Sequence, residues 1–309
     1  MHQLKKITAL LLGLTMTQLG FSAPYSAELV KDAESGHAQA QYDVGNAIYF
    51  GQGVTKNKSA GFAWLLKSAQ QGYAPAQFSV AESYYWGIGT AKDRKTAFNW
   101  YQKSSDQKYA AATYHLGMAY LNGSGVAQNI EKGQLLRIQA GEMGHIAAQI
   151  DLAQEYRMGG EEYGIEVDEQ QAAYWYRKAA VLGDRNATYN LGMMYENGEV
   201  GTDEAGGADM VQAIKLYNIA AEKGESTAQF VLCRHYLVGT PPLSQNLVKA
   251  RELCLAAAKD DDYYAKLFLG RFYAQGIGGP KDPKQAYYWY QQVSEEQEAR
   301  NFLQTYRGR

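Results

Sequence analysis

Cysteine is nearly absent from this chain: 309 residues hold two, Cys233 and Cys254. That excludes a disulfide-dense secreted scaffold and a multi-cysteine zinc site. The five histidines (His2, His37, His115, His145, His235) include no pair at ligand spacing on one helix face, so no metal or cofactor site is expected. Proline numbers six, which leaves helices uninterrupted. Neither sign of charge dominates: 30 Lys and Arg stand against 32 Asp and Glu. Such a balance gives no global attraction to nucleic acid. A Gly-rich phosphate loop and the His-Glu pattern of metalloproteases are also missing.

Only one long apolar run exists, at the start. MHQLKK is basic, ITALLLGLTMTQLG is apolar, and FSAPYSA supplies small residues at cleavage points. Residues 1–23 read as a signal peptide cut near Ser22 or Ala23, with Pro24 opposing a cut right after Ala23. The alternative is a retained N-terminal anchor. No cysteine follows the run, so a lipid-anchor site is not expected, and no second segment reaches membrane length. Loss of Lys5 and Lys6 leaves 28 basic against 32 acidic groups, a formal charge of −4. The expected location is the bacterial periplasm or outside the cell, where two lone cysteines usually pair.

What is abundant is self-similarity. ATYHLGMAYLNGSG begins at Ala112 and ATYNLGMMYENG at Ala187. The same frame recurs from Ala40, Ala76, Ala148, Ala228 and Ala265, with intervals of 36, 36, 36, 39, 41 and 37 residues. Alanine, a Leu or Val four places on, and a Tyr eight places on form one helical stripe. Gly-x-Gly ends that helix, because glycine takes the left-handed cap without penalty. A second segment follows, as in TAFNWYQKSS (from Thr96), QAAYWYRKAAVLG (from Gln171) and QAYYWYQQV (from Gln285). One helical hairpin cannot bury its stripe alone, but stacked hairpins can. The expected architecture is an all-α, right-handed α/α superhelical solenoid. It comprises a half-repeat helix over 25–36, seven repeats over 37–294 (starting near 38, 74, 110, 146, 185, 226 and 263), and a polar capping helix over 295–309.

LGMAYLNGSGV (from Leu116), LGMMYENG (from Leu191), YWYRKAAVLGD (from Tyr174) and LGRFYAQGIGG (from Leu269) resemble the Sel-1-like repeat family, relatives of tetratricopeptide repeats. The resemblance covers nearly all of the chain beyond residue 24. Departures are local: Gly133 replaces a second-helix Ala, Leu136-Arg137 replaces Trp-Tyr, and Cys233 replaces the packing Gly of repeat six. The resemblance implies a non-enzymatic, monomeric protein-binding scaffold of the envelope, an adaptor, regulator or toxin-neutralising immunity-type protein. It implies as alternatives a secreted host-interaction factor or a structural envelope component. Because some cysteine-rich relatives have been described as β-lactamases, a penicillin-recognising hydrolase is a further alternative. Ser105-Asp106-Gln107-Lys108 has the Ser-x-x-Lys spacing, but it sits in a polar turn and lacks Ser-Asp-Asn and Lys-Thr-Gly partners.

Cys233 falls on the first helix of repeat six and Cys254 on the second, in the Trp-Tyr place. Both should face the seam of one hairpin, within disulfide reach, with two buried thiols as the alternative. His37 and His145 occupy matching turn positions and read as solvated. Tetratricopeptide geometry points residues two, six and nine places after each marker Ala toward a concave face. The plus-two residues (Tyr42, Phe78, Tyr114, Ile150, Tyr189, Phe230, Leu267) are uniformly large and read as packing. Asn46, Tyr49, Glu82, Tyr85, Met118, Gln154, Arg157, Met193, Arg234 and Arg271 vary, as a protein-binding face requires, and Trp86 joins Tyr85 in its densest aromatic spot. Two long linkers, GGEEYGIEVDE (from Gly159) and NGEVGTDEAGGAD (from Asn197), are acidic. Glu161, Glu162, Glu166, Asp168, Glu169, Glu196, Glu199, Asp203, Glu204 and Asp209 are expected on one edge, for a basic partner surface or, less suitably, Ca²⁺. Two solvated loops are the alternative.

Overall fold

The computed structural model describes residues 25–160, 163–201 and 207–306. The segment expected as a signal peptide lies outside the described residues, as do Glu161, Glu162, Asp203, Glu204 and the last three residues. The described residues form sixteen α-helices and one isolated antiparallel bridge, Gly160 to Ile165. They divide into two compact units that meet in sequence at Ala148 and Gln149.

The first unit holds α1 (Ala27–Glu34), α2 (Ala38–Phe50), α3 (Lys58–Gln70), α4 (Ala74–Trp86), α5 (Arg94–Asp106), α6 (Ala110–Asn122) and α7 (Ile130–Glu142). Helix α8 (Ile146–Met158) lies mostly in the second unit, followed by α9 (Glu169–Val181), α10 (Arg185–Glu196), α11 (Met210–Glu222), α12 (Ser226–Val238), α13 (Leu247–Lys259), α14 (Tyr263–Gln275), α15 (Pro283–Gln291) and α16 (Gln297–Thr305). In the first unit each helix from α1 to α6 packs on the next, ending with the α6–α7 hairpin; in the second the same holds from α9 to α16.

Local chemistry sets these boundaries. Every second helix begins with an Asn or Asp cap: Asn57, Asp93, Asn129, Asp168, Asp209, Asn246 and Asp282 accept from backbone N–H groups of the first turn. First helices α2, α4, α6, α12 and α14 end on a glycine in the left-handed region. All seven marker alanines are buried, and so are the residues four places on, from Val44 and Val80 to Leu269. Each buried Val or Leu contributes roughly 1.5–3 kcal/mol.

The second glycine of Gly-x-Gly has a different task. A Cβ on Gly125 would lie 2.2 Å from the Arg94 carbonyl oxygen, and one on Gly278 would lie 2.1 Å from that of Leu247. The loop therefore sits directly on the first turn of the preceding repeat's second helix.

The hairpin seam has one recurring contact. The helical glycine five places after the marker lies against a second-helix side chain: Gly192 against the Tyr217 ring, and Gly270 against the Tyr290 ring. In repeat six the same two places hold Cys233 and Cys254, and they are bonded, with Cα atoms 5.6 Å apart. A small-plus-large pair has been exchanged for two medium side chains and a covalent link. The departure at Gly133 is also explained by space, since a Cβ there would lie 2.6 Å from Leu121 Cδ2.

Candidate functional site

The tyrosine that fills the seam reaches past it to a polar group on the first helix. In the first unit the Tyr101 hydroxyl donates to Glu82. Glu82 also accepts from Trp86 Nε1 at 3.1 Å, and its Oε1 lies 3.4 Å from His115 Nδ1. The His115 ring stacks on Tyr101, with centroids 5.4 Å apart, and burial lowers its pKa. The second unit repeats the arrangement. Tyr217 donates to Glu196, His235 Nε2 lies 3.4 Å from Glu196 Oε1, and the Tyr217 and His235 rings stack. The His235 hydrogen bond, then the Tyr217 bond, hold the Glu196 carboxyl below its ordinary range despite burial. Burial and Glu82 or Glu196 together push the Tyr101 and Tyr217 phenols far up, so both stay protonated donors.

In the second unit these groups floor a cavity of about 580 Å³ between first helices α10, α12 and α14. Met193, Val231, Leu237 and Phe268 supply apolar wall, and Arg234 and Arg271 supply cationic groups. Three variable residues, Met193, Arg234 and Arg271, thus come together. Tyr189, read as packing, does pack on Tyr217 and also lines the cavity. Glu196, expected on the acidic edge, lines this cavity instead and accepts from Tyr217, as its place nine residues after Ala187 on the inward stripe allows; the sequence reading assigned His235 no role.

The remaining expected residues are distributed differently. In the first unit Tyr49 is wedged in its hairpin, with Lys58 Nζ 3.7 Å from its ring centroid and Phe50 edge-on at 5.0 Å. Tyr85 meets Trp86 edge-on at 4.8 Å, and Trp86 is 59% exposed. Asn46 and Met118 are half-buried, and in the second unit Gln154 is exposed. Arg157 is turned onto Glu199, with Nε and Nη2 each 2.8 Å from its carboxylate oxygens. That bond raises the Arg157 pKa and holds Glu199 low. The expected acidic edge is therefore partly committed elsewhere: Glu199 to Arg157, Asp168 and Asp209 to helix caps. Glu166 and Glu169 are exposed.

His37 is exposed beside Asp32 and Ser35. His145 departs from the solvated reading: it is half-buried, stacked on Tyr114 at 4.7 Å, and its Nδ1 accepts from the Ala148 N–H. Ser105 Oγ lies 3.0 Å from Thr113 Oγ1, while Lys108 sits in the turn with φ of 60°. Among the described residues no group of three or more His, Cys, Asp or Glu is placed to hold a metal ion, and no helix is long and apolar enough to cross a membrane.

Similarity to known proteins agrees with this geometry. The crystal structure of c5321, a protective antigen present in uropathogenic Escherichia coli strains and displaying an SLR fold, superposes with a TM-score of 0.68 at 29% identity, over 89% of this chain and 58% of that one. A Sel1 repeat protein from Oxalobacter formigenes gives 0.66 at 28% identity, over 89% and 78%. The chitin synthase regulator SKT5 of Malassezia restricta is 34% identical over 130 residues, which is 42% of this chain and only 9% of the regulator. The family model for the Sel1 repeat matches residues 38–73, 74–109, 110–145, 146–184, 185–225, 226–262 and 264–296. With seven matched repeats covering most of its length, the chain belongs to the Sel1 repeat family.

Proposed function

We propose that this protein is a non-enzymatic protein-binding scaffold of the bacterial cell envelope, an adaptor or inhibitor that holds its partner on the first-helix face of the second compact unit. The observation that carries this reading is the cavity between α10, α12 and α14. Its walls are built from positions that differ from repeat to repeat, while the buried Ala-Leu stripe beneath them hardly varies. A constant core with a varied face is the arrangement in which each repeat meets a different part of a bound protein. The leader-like start and the single disulfide support an envelope location. A relative over part of the chain, the chitin synthase regulator SKT5, is named as a regulator, which is in keeping with an adaptor reading.

The test is affinity capture with cross-linking from periplasmic extract, the purified protein serving as bait. A single partner cross-linked to residues of α10, α12 or α14 is the expected result. Absence of any specific partner, with the bait shown to be folded, overturns the scaffold reading. Cross-links confined to other faces overturn the choice of face.

A further inference from the structure

The cavity of the second compact unit has an unequal set of charges. His235 lies beside Glu196, and Arg271 forks onto Glu298 through Nε at 3.1 Å and through Nη2. Arg234 is exposed and has no hydrogen-bond or ion-pair partner among the described residues. The same place in other repeats shows why. Glu82 and Arg271 stand, like Arg234, six places after their marker alanines. Glu82 accepts from Tyr101, and Arg271 pairs with the Glu298 that also accepts from Tyr290 at 2.6 Å. Repeat six has Cys254 where those tyrosines stand, and the Cys233–Cys254 bond fills the seam instead. The phenol-anchored carboxylate of the cavity, Glu196, is hydrogen-bonded to Tyr217 and lies beside His235, and it acts on Arg234 through space without bonding to it, so the guanidinium stands at the cavity rim with its five donors unbonded.

Around it the wall is apolar: Met193, Val231, Leu237 and Phe268. The volume, about 580 Å³, falls within the roughly 300–1,000 Å³ of ligand-holding clefts. Lining groups come from three successive first helices, which suits a chain crossing the cavity rather than one ending in it. We propose that this cavity receives an extended segment of the partner protein in which an acidic side chain flanks an apolar one, the apolar group resting on Met193, Val231 and Phe268 and the carboxylate on Arg234. The inference rests on the scaffold reading above and names the chemistry of its partner. A carboxylate matches the guanidinium fork in two parallel hydrogen bonds, and a lysine in its place meets like charge.

A random twelve-residue peptide display library selected on the purified protein tests this. Enrichment of Asp or Glu beside Leu, Met, Phe or Val is expected. A labelled enriched peptide, followed by fluorescence anisotropy, should bind Arg234→Glu at least tenfold more weakly. Its acid-to-lysine version should bind that variant better than it binds the parent. Arg234→Gln gives a milder control for folding, checked by circular dichroism. Enrichment of basic peptides, no enrichment, or equal binding by a folded Arg234→Glu protein overturns the proposal. Loss of binding on amidating the peptide's C-terminus also overturns it, because the site would then be reading a chain end. A cellular partner captured equally by parent and Arg234→Glu removes this inference while leaving the scaffold intact; capture of no partner removes the scaffold itself.

Discussion

The Cys233–Cys254 bond stands where sister repeats place a Gly–Tyr contact, and this makes its contribution separable by design. The bond closes a loop with a sequence separation of 21 residues. On the chain-entropy model such a loop stabilises by about 3 kcal/mol. With a urea dependence of about 2 kcal/mol per molar, reduction should lower the second unit's unfolding midpoint by about 1.5 M. Cys254→Tyr alone should cost more than reduction, because the rings at that place face only glycine or alanine (Gly192, Gly270, Ala81) and the Cys233 side chain is larger than either. Even the Cβ that Gly192 lacks would lie 2.9 Å from the Tyr217 ring, and at Gly270 the distance to the Tyr290 ring is 2.5 Å. Adding Cys233→Gly supplies that room and rebuilds the seam of repeats five and seven. The double variant should therefore be more stable than Cys254→Tyr and indifferent to reductant, a coupling of about 1–3 kcal/mol between the two sites. Urea titration by circular dichroism, with and without reductant, of the parent, Cys254→Tyr, Cys233→Gly and the double variant measures all four corners of the cycle. A parent midpoint that does not move on reduction, or a double variant no more stable than Cys254→Tyr, would refute the seam-exchange argument.

Three further expectations follow from the same physics. Gly125→Ala should cost about 2–4 kcal/mol, since it adds backbone strain at φ of 77° to a collision with the Arg94 carbonyl. Gly72→Ala, at φ of 91° with open space around it, should cost only about 1–2 kcal/mol, and thermal melts of the two variants give the difference. Asp43 is buried, and desolvation pushes its carboxyl up to about 6. The folded state then holds an extra proton between pH about 4 and 6, so stability from this group falls as pH rises through that window and the penalty is complete above it. Asp43→Asn should stabilise by about 1–3 kcal/mol at pH 7.5 and by little at pH 4, compared in urea at both values. Asp93→Ala should lose about 1 kcal/mol, because Asp93 caps α5 through the Lys95 and Thr96 N–H groups at 3.0 Å, visible as a lower melting temperature.

The fold was legible because its signal is repeated seven times. The Ala-Leu-Tyr stripe and the Gly-x-Gly stops state the same hairpin over and over, so local ambiguity in one copy is resolved by the others. The Asn and Asp caps of the second helices were equally present in the sequence, at Asn57, Asp93 and Asn129, but a single polar residue before a helix is too common to stand out without the frame. The binding face was less legible, because the stripe rule says which way a residue points and not what meets it there. Tyr49 and Arg157 obey the rule, yet one is clamped by Lys58 and the other by Glu199. Glu199 looked like part of an acidic loop; its partner lies 42 residues away, beyond any local pattern.

Arg234 shows how the two levels connect. Its place in the stripe is ordinary, and two other repeats also carry a charge there. What sets it apart is the residue across the seam. In repeats two and seven a tyrosine hydroxyl passes the backbone contact and organises a carboxylate on the far side: Glu82 itself in one case, Glu298 in the other. Exchanging that tyrosine for Cys254 keeps the seam filled and closes it covalently, but the disulfide ends at the seam. The polar group beyond loses its internal partner. The pair that closes the core of repeat six covalently thus stands behind a cation left unbonded at the face, beside the apolar wall of Met193, Val231 and Phe268. On the proposal made for Arg234, stability and availability for binding depend on the same two residues, and the double variant Cys233→Gly/Cys254→Tyr bears on both. If a hydroxyl at that place recruits a carboxylate to Arg234, the variant should bind an acidic peptide more weakly than the parent while remaining folded. Undiminished binding would show that Arg234 owes its freedom to something other than the missing tyrosine.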